Sequence, residues 1–331
     1  MTELVAVDIG GTHARFALAQ LDGGHVATLG EPAVFRTAGF ASLPAAWIAF
    51  EERLGRRAPR AAAIGLACPI GGEELRLTNN DWVIRPADLR DQLGVDRLSL
   101  VNDFAAIAHA VTHAGPDQLR PLCGPVAPLP TRGTISIVGP GTGLGVAALV
   151  RRENWDEVLP TEGGHMGFAP LDAFEDALLA RLRRRHGRVS AERVASGPAL
   201  GDIYALIDGA KGRSDDVNDR TLWDRALAEE DGPAAAALDR FCKLLGSVAG
   251  DVALAHGAGA VVIAGGLGLR LARRLPTSGF GERFRAKGRF APLMARLPVS
   301  LLTHEQPGLL GAAACFAQEH LTAFSKGREH A

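Results

Sequence analysis

The sequence predicts an α/β protein built from two related lobes, and three observations predict it. From Leu4 to Leu18, L-V-A-V-D-I-G-G-T-H-A-R-F-A-L, an apolar strand runs into a glycine turn and returns as a second strand. Ile135 to Leu149, I-S-I-V-G-P-G-T-G-L-G-V-A-A-L, repeats the plan: Val7 overlays Val138, Gly10 overlays Gly141, and Ala17-Leu18 overlays Ala148-Leu149. Downstream of the first copy, strands and helices follow in the order of an α/β lobe. Glycines at both turns let the backbone approach a ligand closely and face amides toward an anion, so the duplication suggests two lobes gripping one phosphate chain. Asp8, at the end of the first strand, is placed to hold a hydrated cation near that anion.

Taken in order, the first hairpin leads to a strand around His25–Phe35 and an amphipathic helix at Leu43–Leu54. Ala61–Ala67 reads as a central strand closed by Cys68-Pro69-Ile70-Gly71-Gly72, and Leu75–Thr78 as another strand leading to the polar loop Asn79-Asn80-Asp81-Trp82. Pro86 opens a short helix ending near Gly94, since proline suits a first helical turn. Leu98–Val101 is a strand running into Asn102-Asp103-Phe104 and an alanine-rich helix to about Ala114. Five prolines between Pro116 and Arg132 mark a crossover between lobes. The second lobe opens with the 135–149 hairpin and continues with a strand at Asn154–Leu159 and a turn from Pro160 to Pro170. Helices dominate from Leu171 to His256. Val261–Ala264 is a buried strand ending in Gly265-Gly266 and followed by a helix, and Pro298–Leu302 is the last strand. A terminal helix, Gly308–Leu321, is expected to fold back on the first lobe. That gives a small lobe of residues 1–113 plus about 303–331 and a large lobe of residues 114–302.

Bulk properties exclude several classes. A chain of 331 residues suffices for two domains with a sizeable core. Lys+Arg 36 against Asp+Glu 37 leaves a net charge of -1, without the basic surplus that nucleic acid or an anionic membrane requires. The basic cluster Arg181 to Arg188 closes an apparent helix (Leu171–Arg185), where cationic side chains suit the C-terminus. Cys68, Cys123, Cys242 and Cys315 form no C-x-x-C pair, which points to free thiols in a reducing cytosol rather than disulfides or zinc. Asp8 interrupts the opening apolar run, and Ala234 to His256 carries Asp239, Arg240, Lys243 and Asp251, so neither reads as a signal peptide or a membrane span. The expectation is a soluble cytoplasmic protein.

Four places carry candidate chemistry. Asn102-Asp103 lies where a strand ends and a helix begins. Both residues are common helix caps, but ligand crevices in α/β sheets also open at the carboxyl ends of strands. A carboxylate there could take a proton from an alcohol attacking a phosphoryl group. Glu162-Gly163-Gly164-His165 offers two hydrogen-bonding side chains around two glycines, which suits a polyol or simply a polar surface turn. Glu192 is a second acidic candidate, or a first-turn acid favoured by its helix dipole. Gly265-Gly266 gives a base or ribose bare backbone to lie against. A G-x-x-x-x-G-K-[ST] loop is absent, and Gly143-x-Gly145-x-x-Ala148 enters a strand rather than a helix, which removes the dinucleotide reading.

Together these pieces resemble the bacterial ATP-dependent glucokinases of the sugar kinase, Hsp70 and actin superfamily. The resemblance rests on D-I-G-G-T-H-A-R (8–15), A-C-P-I-G-G (67–72), V-N-D-F (101–104), G-P-G-T-G-L-G-V-A (139–147), E-G-G-H (162–165), S-A-E-R-V-A-S-G-P (190–198), I-A-G-G (263–266) and P-G-L-L-G (307–311), in family order over nearly the whole chain. It implies two RNase H-like (actin-like ATPase) lobes with a cleft between them, usually in a homodimer, and transfer of a phosphoryl group from ATP to the 6-hydroxyl of D-glucose with Mg²⁺. By the same resemblance Asp103 is the general base, and Asn102, Glu162, His165 and Glu192 bind the other sugar hydroxyls. Asp8 orients Mg²⁺ through water, Gly10, Gly11, Thr12 and Gly141-Thr142-Gly143 face the phosphates, and Gly265-Gly266 lines the adenosine pocket. His13 departs from the Asn common in the family, and the cysteine-rich zinc motif of the repressor-type relatives is absent. The rivals are a kinase for another hexose or an amino sugar, and a sugar sensor without turnover. A pure sensor has no need of the Asp8 and Asp103 pair, and an actin-like filament protein should lack the E-G-G-H turn.

Overall fold

The computed structural model describes residues 1–77, 80–153, 155–209, 219–228 and 232–321, and the chain divides into two units. One comprises Met1–Ala114 and the segment from His304 onward; the other is Gly115–Thr303.

In the first unit the opening apolar run forms β1 (Thr2–Ile9), paired antiparallel with β2 (His13–Asp22) so that Asp8 faces Arg15. The single strand expected at 25–35 is two, β3 (His25–Leu29) and β4 (Ala33–Arg36), both paired with β2. Pro32 lies between them without an amide to donate, and Gly30 N–H bonds to Leu18 O at 2.8 Å. Helix α1 (Leu43–Leu54) starts where the Ser42 hydroxyl accepts from Ala45 N–H and stops at Gly55 in the left-handed conformation. β5 (Ala61–Leu66) is buried throughout and parallel to β1, as a central strand covered on both faces must be. β6 (Leu75–Arg76) and β7 (Val83–Ile84) form a small sheet of their own. Thr78, Asn79 and Asn154, named in the sequence reading, lie outside the described residues. After α2 (Pro86–Leu93), β8 (Arg97–Asn102) pairs parallel with β5 and runs directly into α3 (Asp103–His113). The sheet order is β3-β2-β1-β5-β8, with β4 off β2.

The second unit begins with a strand that lies inside the segment expected to be a crossover between lobes. β9 (Leu119–Cys123) pairs antiparallel at the edge of the sheet, with Pro121 opposite Ser300. An edge strand tolerates proline because one row of its amides has no ladder partner, so the prolines concealed it. The second hairpin is β10 (Gly133–Pro140) with β11 (Leu144–Arg152), continued by β12 (Trp155–Thr161). Helices α4 (Ala173–His186), α5 (Glu192–Ala195), α6 (Ala199–Ile207), α7 (Asp219–Ala228) and α8 (Gly232–His256) follow. Then come β13 (Ala258–Ile263), α9 (Gly265–Arg270), α10 (Phe280–Arg285), α11 (Ala291–Met294) and β14 (Val299–Leu302). The core of this unit gathers around α8, with Phe241, Phe280 and Phe284 fully buried. No described helix is long and apolar enough to cross a membrane.

The sheet order here is β12-β11-β10-β13-β14-β9, and its first five strands reproduce β3-β2-β1-β5-β8 in order and direction. The duplication is therefore structural. The sequence overlay needs one correction. Val7 pairs with Phe16 and Val138 pairs with Val146, because four residues turn the first hairpin and three turn the second. Beyond the turn the overlay slips by one residue, so Ala17 matches Ala147, not Ala148. The final helix, α12 (Pro307–Leu321), belongs to the first unit and lies against α3. A side chain at Gly311 would run into the Ala106 carbonyl, so the two helix backbones touch there.

Candidate active site

At the carboxyl end of the first sheet, β1 and β8 each deliver a carboxylate. Asp8 sits one residue before the end of β1, and Arg15 Nη1 on β2 reaches its Oδ2 at 3.4 Å. Burial pushes the Asp8 carboxyl up, and the Arg15 guanidinium opposes that. The first turn of α12 closes on the same group: a Cβ at Gly308 would lie 2.8 Å from Asp8 Cγ. P-G-L-L-G thus supplies a proline to open the helix, a bare backbone against Asp8, and a bare backbone against α3.

Asn102 is the cap of α3 in full: its Oδ1 accepts from Phe104 N–H at 3.0 Å and Ala105 N–H at 3.1 Å. Its Nδ2 donates to Cys68 O at 3.2 Å, which leaves one amide hydrogen for another partner. Asp103 occupies the first helical position, and its Oδ1 accepts from Phe104 N–H at 2.8 Å. Burial is the main force on this carboxyl and raises it to about 6; the Asp8 charge adds to the rise, and the Phe104 amide works against it. The neighbouring Cys68 thiol is raised by burial and by the Asp103 charge. An acid whose pKa lies near the working pH is the kind of group that accepts and returns protons.

The turn between β1 and β2 is pinned by its carbonyls. Gly10 N–H donates to His13 O at 2.9 Å, while Gly10 O accepts from Asn80 Nδ2 at 3.4 Å. Gly11 O accepts from Thr37 Oγ1, and Thr12 O from Thr37 N–H, both at 3.0 Å. Thr12 is exposed at the tip, and His13 is the first residue of β2 opposite Arg36.

In the second unit the E-G-G-H turn and Glu192 are assembled by local pairing. Gly167 bridges to Ser190, and Ala191 N–H donates to Met166 O at 2.8 Å, which sets residues 162–165 beside the start of α5. Gly164 lies directly against the Leu144 carbonyl, where any Cβ would collide. Arg188, counted among the cations of a helix end, instead donates to His165 O at 2.7 Å and anchors the turn; Arg185 makes a two-pronged pair with Asp202 at 2.8 and 2.6 Å. The side chains of Glu162 and His165 stand open, 80% and 57% exposed, with His165 Nε2 3.9 Å from Glu162 Oε2. Glu192 is half-buried and turned toward the hairpin: its Oε2 accepts from Leu144 N–H at 3.0 Å, beside Gly143, where a Cβ would come within 2.6 Å of that oxygen.

The Gly141-Thr142-Gly143 turn is closed by Gly141 N–H on Gly143 O at 2.8 Å and tied by Gly197 N–H on Gly141 O at 2.7 Å. Gly265 starts α9 with φ of 84° and packs on β10, its Cβ position 3.3 Å from Pro140 O; Gly266 faces open space. The structure thus brings together Asp8, the 10–12 turn, Asn102 and Asp103 in one unit, and Glu162, His165, Glu192, the 141–143 turn and Gly265-Gly266 in the other. The sequence reading missed Thr37, Asn80 and Gly308 as neighbours of the first group. P-G-L-L-G was the available signal for Gly308; nothing local marks Thr37.

Residues 4–319 match the family model described as Glucokinase. The chain belongs to the glucokinase family. A glucokinase from Zymomonas mobilis is 55% identical over 319 residues, covering 96% of this chain and 98% of that one. The crystal structure of a glucokinase from an Antarctic psychrotroph superposes with a TM-score of 0.83 at 33% identity, covering 96% of this chain and 99% of the other. A glucokinase of the ROK family from Streptomyces griseus, solved with glucose and AMPPNP, shares the fold at a TM-score of 0.62 and 18% identity, over 94% of this chain and 98% of that one. The fold is the actin-like ATPase fold, and as a glucokinase-family member the chain is a hexose kinase.

Proposed function

We propose that the protein transfers the γ-phosphoryl group of ATP to the 6-hydroxyl of D-glucose, giving glucose 6-phosphate and ADP, with Asp103 as the general base. One observation carries the reading: a half-buried carboxylate raised to about 6 stands at the strand-to-helix junction after β8, in the same unit as Asp8 and the 10–12 turn. Asp103 takes the hydroxyl proton as the oxygen attacks phosphorus and the bond to the ADP leaving oxygen breaks. The remaining hydrogen of Asn102 Nδ2, together with Glu162, His165 and Glu192, holds the other hydroxyls. Gly10, Gly11, Thr12 and Gly141, Thr142, Gly143 face the phosphates, and Gly265 and Gly266 lie along the adenosine; glucose and AMPPNP bound in the Streptomyces griseus protein support this choice of ligands.

Asp8 fits a Mg²⁺ ion held through water. A single carboxylate, 23% exposed, would suffice to hold such an ion through water, since Mg²⁺ dehydrates reluctantly and needs few protein ligands. When bound, the ion neutralises charge on the phosphate chain. Arg15 holds the Asp8 carboxylate in place, and Gly308 leaves room for it. We further assign the protein to the cytoplasm as a homodimer working in glycolysis.

The test is a coupled ADP assay across hexoses and amino sugars with the Asp103→Asn variant alongside. Glucose should be the preferred acceptor, and the variant should lose turnover while retaining glucose affinity. Equal rates on glucose and mannose would move the substrate assignment, and full turnover without Asp103 would remove the base.

A further inference from the structure

We infer that Thr37 is a positioning residue for the nucleotide phosphates, acting through the first glycine turn. The inference rests on the reading that Gly10–Thr12 face those phosphates. A trans peptide unit points its C=O and the following N–H in opposite directions. Three successive carbonyls of the turn each have a donor: Gly10 O has Asn80 Nδ2 at 3.4 Å, Gly11 O has Thr37 Oγ1 at 3.0 Å, and Thr12 O has Thr37 N–H at 3.0 Å. The amides of Gly11, Thr12 and His13 are thereby each fixed pointing away from the donor on their own peptide's carbonyl. Among the described residues, the Gly11 and Thr12 amides have no protein acceptor. Successive free amides of a turn are the groups that make an anion-binding concavity.

Thr37 is itself 4% exposed, in a short 3-10 turn just after β4, so it cannot swing out to meet the ligand. Its hydroxyl donates to the one carbonyl whose rotation would turn the Thr12 amide away. The second turn has the same design with a different part: Gly197 N–H holds Gly141 O, which aims the Thr142 amide. There the clamp is backbone and no side-chain substitution removes it. In the first turn the middle clamp is a single hydroxyl.

The full-length enzyme carrying Thr37→Val, which keeps the shape and the backbone bond but loses the hydroxyl, should raise the KM for ATP roughly five- to tenfold, the range one hydrogen bond spans. Its glucose KM should stay within about twofold, since the lost bond lies outside the sugar group. Thr37→Ser should return the ATP KM to near the parent value. Unchanged ATP KM in Thr37→Val, or equal defects in Thr37→Val and Thr37→Ser, overturns the inference. A glucose KM that rises in step with that for ATP overturns it too, since that is the signature of a general structural defect. Backbone amide NMR of the parent enzyme separates the two levels. If the Gly11 and Thr12 amides do not shift on adding Mg·ADP, the phosphate reading of the turn fails. If they shift and the Thr37→Val kinetics are unchanged, only the clamp fails.

Discussion

In the first hairpin the pair next but one to the turn is Asp8 opposite Arg15; at the equivalent place in the second it is Gly139 opposite Gly145. The strand order around the two hairpins is the same, and the parallel partners match as well, Val7 with Ile64 and Val138 with Ile263. A shared scaffold therefore carries an ion-paired, part-buried carboxylate in one copy and bare backbone in the other. Burying that carboxylate has a cost that the glycine pair does not incur, and Arg15 offsets only part of it. The second unit spends its polar side chains differently. Glu162 and His165 stand exposed, and Glu192 accepts from the Leu144 amide just after the 141–143 turn. The first unit holds part-buried carboxylates with raised pKa values, and the second presents Glu162 and His165 as open hydrogen-bonding surface.

The strongest way to break this division is to neutralise the proposed base, Asp103. Asp103→Asn should lower kcat by roughly 10²–10⁴-fold, the worth of a positioned general base. Its glucose KM should move far less, since the proposed contacts to the sugar's other hydroxyls are untouched. Steady-state kinetics with a coupled ADP readout decide it. A variant within about tenfold of the parent rate would place the proton acceptor elsewhere.

The same substitution made in both units should then fail in different ways. Gly164→Ala meets the backbone carbonyl of Leu144, which cannot step aside, so it should destabilise the fold by about 1–3 kcal/mol and weaken glucose binding. Gly308→Ala meets the end of the Asp8 side chain, whose Cγ would be 2.8 Å away. There the carboxylate shifts and the fold survives, so kcat should fall roughly 10–10²-fold with little change in denaturation midpoint. Equal stability losses in the two variants would erase the contrast.

Much of this was legible in the chain because it is written locally. Hairpin apolar runs, Pro86 and Gly94 at the ends of α2, and the strand-to-helix junction at Asn102-Asp103 are all read within a few residues of themselves. What escaped is long-range or depends on register. Nothing near Thr37 says that it clamps a turn some 26 residues away. The one-residue slip in the hairpin overlay follows from turn length, which apolar patterning does not encode. β9 was hidden because a proline-rich segment reads as linker unless one knows it lies at a sheet edge. Asn102 shows the converse: its cap role is fully realised, so the bland reading of that residue holds beside the proposed one.

The pH dependence sharpens the contrast in a second way. With Asp103 raised to about 6, the proposed base is protonated at lower pH, so kcat/KM should fall as pH drops through about 6. Asp103→Asn should lose that limb and keep a flat residual rate. A limb centred near 4 in the parent enzyme would mean that the carboxylate is not the buried group described.

The smallest effect concerns stability, and its sign is the opposite of the catalytic one. Asp103 titrates near 6 when folded against an ordinary value of 3.8, so across that interval the folded chain keeps a proton that the unfolded chain has released. Stability tied to this group is full below about 4 and is lost as pH rises through about 6, where ionisation must occur in a buried site. A neutral amide of the same shape escapes that penalty. Asp103→Asn should therefore be more stable than the parent at pH 7.5, by on the order of 1–3 kcal/mol, with the gain shrinking to nothing near pH 4. Urea unfolding at the two pH values measures both numbers. A variant less stable than the parent at pH 7.5 would mean that the ionised carboxylate supports the first turn of α3 more than burial opposes it, and burial at Asp103 would then not be what sets the two units apart.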